Sequence, residues 1–136
     1  MQVIIVEPEN ATLLKSGNVL LPIYFQLKNK VFPEKGWTDF GIVILRWWLL
    51  AVRSGSASFD LEFMDGPFLM RVVVEGNMAN MFCVAELTRD SAVKNFASVP
   101  LFELEDSILT ASTSLVQSLK HGSFQSDDFD ELKAVI

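Results

Sequence analysis

The sequence predicts an α+β architecture: an antiparallel sheet of about five strands, with a central hydrophobic helix and a C-terminal helix pair packed on it. Three observations carry it. Strand-like and helix-like segments alternate in the order β, β, α, β, β, β, α, α. Two turn pairs, Asp65-Gly66 and Gly76-Asn77, join three alternating segments into consecutive hairpins. Two further stretches, 41–52 and about 103–121, carry apolar residues at helical spacing. At 136 residues the chain is expected to form one domain, 1–136.

The first strands are "QVIIV" (2–6) and "VLLPIYFQLKNKVF" (19–32). In the second, Leu21, Ile23, Phe25 and Leu27 alternate with polar neighbours, and Pro22 implies an edge or a bulge. "FPEKG" breaks this element before the central helix. Thr38 is positioned to cap that helix, and Asp39 to meet the positive end of its dipole. Arg53 and Ser54-Gly55 suit its other end. Asp39, Arg46 and Arg53 recur every seven residues and form one narrow polar stripe. Gly41, Ile44, Leu45, Trp48, Ala51 and Val52 lie opposite and form the expected core face. Trp47 falls on the flank, and Val43 and Leu50 fall within the stripe. Twelve residues rise only about 18 Å as a helix, too short for a bilayer.

The two turns set a register by arithmetic. Phe63 faces Phe68, Leu61 faces Met70 and Phe59 faces Val72, and the next strand adds Met81, Cys83 and Ala85 on the same face. That face is the core face, which makes Cys83 a structural thiol. The other face brings Asp60 opposite Arg71, with Glu62, Glu75 and Glu86 around Leu69, Val73, Phe82 and Val84. An apolar patch rimmed mainly by acids is either covered by another segment or exposed for binding. Further on, Leu104, Ile108, Ala111, Leu115 and Leu119 form a helical stripe ending at His121 and Gly122. Ser126 and the acids after it start a short final helix.

The net charge of −6, from 17 acids and 11 bases, argues against nucleic acid and against anionic lipid, and leaves open a basic protein partner. The single cysteine excludes an internal disulfide, and "MQVIIVEPEN" lacks the pattern of a secretory signal, so a cytoplasmic protein is expected. The lone His121, the scattered glycines and the buried Cys83 offer neither a metal site nor a phosphate loop nor a nucleophile, so no cofactor and no catalytic activity are expected. Asp60 and Glu62 share a strand face and could bracket a substrate, yet nothing marks a pocket around them. Asp127, Asp128, Asp130 and Glu131 are spaced for a helix start, not for a calcium loop.

"FPEKGWTDF…WW" followed by "FMDGPF", with "HGSFQSDDFDEL" near the end, resembles small bacterial proteins of polymorphic-toxin loci that look like immunity proteins. The resemblance spans roughly 19–134. It implies stoichiometric inhibition, in which the protein docks on a toxin domain and blocks its active site. It names no contact residues. The register supplies Asp60, Glu62, Leu69, Arg71, Phe82 and Glu86 as partner-binding candidates, with Asp127, Asp128 and Asp130 second. The competing reading is a self-associating scaffold or homodimer using the apolar outer face with Trp47 and Leu50.

Overall fold

The computed structural model describes residues 2–85, 92–119 and 127–136. Its strands fall into two antiparallel sheets. In the first, β3 (Val19–Leu27) is a spine that pairs with four short strands: β1 (Ile4–Val6), β2 (Thr12–Leu13), β4 (Lys30–Phe32) and β5 (Thr38–Asp39). The second sheet is a meander of β6 (Ser58–Glu62), β7 (Phe68–Glu75), β8 (Met78–Ala85) and β9 (Ala92–Pro100). Helix α1 (Gly41–Val52) joins the sheets, and α2 (Leu101–Leu119) and α3 (Asp127–Val135) follow. The α+β class, the central helix and the C-terminal helices are as expected.

Several details differ from the expectation. Residues 19–32 form a hairpin, not one strand, because Lys28 adopts a positive φ of 58° and turns the chain between β3 and β4. Pro22 lies inside the spine. Its missing N–H falls where β1 pairing has stopped at Ile23 and β2 pairing has not begun at Leu20, while its carbonyl still accepts from Glu7 N at 3.1 Å. A proline inside a strand is tolerated where the ladder is already interrupted. Strand β9 was not expected. Phe96 is an extra residue between Asn95, which pairs with Phe82, and Ala97, which pairs with Met81. That bulge buries Phe96 and Val99 three positions apart and erases the alternation by which a strand is read.

The helix start also differs. Helix α1 begins at Gly41 with Phe40 at its N-cap position and no side-chain cap, so Thr38 does not cap it and Asp39 lies in β5. Asp39 is 0% exposed. Its carboxylate accepts from Phe40 N at 2.7 Å, from Trp37 Nε1 at 3.0 Å and from Asp65 N at 3.0 Å. Three N–H donors satisfy a carboxylate that would otherwise be costly to bury. The residue ties the start of α1 to the Asp65-Gly66 turn.

Arg46 and Arg53 keep their stripe, and α3 packs along it. Arg46 Nε is 3.6 Å from Glu131 Oε2, and Arg53 donates to the carbonyl of Val135. Ile42 and Leu49, on the same side of α1, are buried, as are Phe129 and Leu132 of α3. Gly41 allows a close approach to β3, since a Cβ there would lie 2.7 Å from Leu21 Cδ2.

One contiguous core draws on both sheets and all three helices. Trp48 sits at its centre, stacked on Phe25 at 4.8 Å and edge-on to Phe63 at 5.2 Å, and its Nε1 donates to Glu62 O at 2.9 Å. The expected stripe of α2, from Leu104 to Leu119, is buried. Among the described residues no helix is long and apolar enough to cross a membrane.

Candidate outer face of the second sheet

The register predicted across the two hairpins is the one observed. Phe59 pairs with Val72, Leu61 with Met70, Met70 with Cys83 and Phe68 with Ala85. The second loop has two residues, closed by Glu75 opposite Met78, with Gly76 at φ 62°. The first is looser. Regular pairing ends at Glu62 opposite Leu69, and beyond it Phe63 N donates to Phe68 O at 3.1 Å.

Alternation along these strands separates two faces. Leu61, Met70, Val72, Ala79 and Met81 point inward and are fully buried. The outward residues form rows across the sheet. One row runs Glu62, Leu69, Val84, Val93, and the next runs Asp60, Arg71, Phe82, Asn95. A third runs Ser58, Val73, Asn80, Ser98, in which Ser98 Oγ donates to Asn80 Oδ1 at 2.6 Å.

Each candidate can now be located. Asp60 and Arg71 form a two-point ion pair, with Arg71 Nε 3.0 Å from Oδ1 and its second nitrogen 3.4 Å from Oδ2. Glu62 is exposed at the β6 edge, while Leu69, Arg71 and Phe82 are half-buried. Leu69, Val73 and Phe82 stand outside the hydrophobic core although they are apolar and adjacent to it. Val84 is only 1% exposed and also stands outside that core, whereas Val93 at the open edge is 54% exposed. Val93 was missed because β9 was missed. Glu86 lies outside the described residues, as do His121, Gly122 and Ser126.

The second candidate group is elsewhere. Asp127, Asp128 and Asp130 occupy the first turn of α3, which packs on α1 and α2. Those two helices bury their apolar faces against the inner side of the second sheet. The tail acids therefore do not join the outer-face group, and they form a separate acidic surface.

Asp60 and Glu62 share a face, but the carboxylate of Asp60 is engaged by Arg71. Cys83 is half-buried, and burial pushes its thiol up to about 11, with Lys30 and Lys94 partly offsetting the effect. It is held protonated at neutral pH, as a structural thiol would be. On α1, Trp47 is 38% and Leu50 45% exposed, so both project from the helix surface.

Comparison of the chain with models of protein families, with curated proteins and with solved structures finds no match to any of them.

Proposed function

We propose that this protein is a non-enzymatic protein-binding inhibitor of the immunity type, which docks the outer face of β6–β9 on a basic protein domain. One observation carries the reading: Leu69, Val73 and Phe82 form an apolar strip that belongs to no core, beside the carboxylates of Asp60 and Glu62. An apolar centre with a charged rim is how a standard protein interface is built. The basic partner follows from the acidic edge together with a chain charge of −6, which speeds association with a cationic surface. Phe82 and Leu69 are the anchors in this reading, and Arg71, clamped by Asp60, is a rigid polar contact. The acids of α3 lie on a separate surface and contribute long-range steering only.

The test is protection of cells expressing each toxin domain encoded beside this gene, followed by calorimetric titration of the purified pair. Phe82→Asp or the double substitution Asp60→Lys, Glu62→Lys abolishes protection while leaving the melting temperature within a few degrees. Failure to protect against every neighbouring domain sinks the reading. So does protection unaffected by these substitutions.

The exposure of Trp47 and Leu50 favours a second reading, self-association through α1. Light scattering that gives a monomer at micromolar concentration removes it.

A further inference from the structure

Two clefts lie between the β3–β4 hairpin and the second sheet. The larger, about 330 Å³, is lined by Phe32, Pro33, Phe68 and Ala85, with Cys83 and Lys94 at its side. The smaller, about 210 Å³, lies between Lys28-Asn29-Lys30 and residues Phe96 to Ser98 of β9. Lys30 lines the smaller cleft and precedes Val31 of the larger: its Nζ donates to Phe96 O at 2.9 Å, which leaves two of its three N–H donors available.

The charge here is opposite to that of the chain. The protein carries −6 overall, yet the described lining of both clefts holds Lys28, Lys30 and Lys94 and no carboxylate. The charges felt by the Cys83 thiol point the same way, because both are ammonium groups, Lys30 and Lys94. In the apolar wall Phe32 and Phe68 meet edge to face at 5.9 Å. The larger cleft falls at the lower end of the range of about 300–1,000 Å³ typical of small-molecule sites.

We propose that the cleft between β4 and β8–β9 binds a small carboxylate with a flat apolar body, an arylcarboxylate. The body lies against Phe32, Pro33 and Phe68, and the carboxylate meets the ammonium of Lys94. A charge-assisted contact of this kind supplies orientation, and the apolar wall supplies area. The site lies on the inner side of the sheet and is independent of the outer-face docking reading.

The test titrates 2-naphthoate, and separately the uncharged 2-naphthamide, into the intact ¹⁵N-labelled chain while recording amide chemical shifts. Saturable shifts with naphthoate are expected at Phe68, Cys83 and Lys94, with affinity falling about tenfold in Lys94→Gln. Naphthamide should bind more weakly and be indifferent to that substitution. Ala85→Leu, which fills the cleft without removing a hydrogen bond, should abolish naphthoate binding in a protein whose melting temperature is retained. No saturable shift up to about 1 mM overturns the proposal. So do equal binding of acid and amide, and an unchanged affinity in Lys94→Gln. Protection of β9 amides by a glutamate-rich peptide, without any naphthoate response, would assign the cleft to a strand-forming partner and also overturn it.

Discussion

Strand β7 is a single run of eight residues whose alternate side chains enter two different environments. Met70 and Val72 are fully buried in the common core, against α1, α2 and the first sheet. Leu69 and Val73 are equally regular and as apolar, yet with Arg71 they lie on a face outside that core. The difference is not one of propensity, because neighbours on one strand share their backbone. It lies in what covers each face. The inner face is packed into the common core, whereas Leu69 and Val73 on the outer face stand outside it and remain half-buried.

The largest effect should come from the inner side. Trp48→Ala removes the stack on Phe25 and the bond to Glu62 O, and should cost about 4 kcal/mol in urea-induced unfolding. A loss below about 1 kcal/mol would mean that the core is not organised around this indole. Asp39→Ala leaves the N–H groups of Phe40, Asp65 and Trp37 without their acceptor and should cost about 3 kcal/mol. Faster hydrogen exchange at the Asp65 amide should accompany it, because the turn loses its tie to the start of α1. Unchanged exchange there would show that the hairpin holds itself.

Cys83 sharpens the contrast chemically. Its folded thiol is pushed up to about 11 from an ordinary value of 9.0, so the folded form keeps its proton as pH rises through the range where the unfolded thiol ionises. Alkylation at pH 8 should therefore be about a hundredfold slower in the folded than in the denatured protein, with half-maximal rate near pH 11. A folded rate already levelling near pH 9 would place the thiol in water. The smallest effects belong to the outer face. Asp60→Ala breaks an exposed ion pair and should change stability by less than about 1 kcal/mol. Leu69→Thr should stay within about 1 kcal/mol as well, since it removes area outside the core. A loss of 2 kcal/mol or more at Leu69 would mean that the outer face is a second core, and the distinction between the faces would fail.

The hairpin register was legible because two glycine turns and an unbroken period of two over-determine it: one slip would turn Leu61, Met70 and Met81 out to solvent. The stripe of α2 was legible for the same kind of reason. Strand β9 was not, because the bulge at Phe96 breaks its period. Of the candidate site, Asp60 facing Arg71 and the strip of Leu69 and Phe82 followed from the register, while Val93 and the clefts flanking β4 did not. Asp127, Asp128 and Asp130 stand as a second group on charge alone, and charge carries no address along a chain.

What the chain determines by itself is local: which residues alternate, where turns close, and which side of each strand or helix is apolar. What only the tertiary structure decided is which of those apolar sides would be covered. Asp39 shows the boundary between the two. Three residues of context read it as a helix-dipole partner, yet folding brings the Asp65 amide to it from 26 positions away and buries it. Contacts between segments distant in sequence arise from the packing of whole surfaces, and a periodic pattern specifies a surface without naming its neighbour.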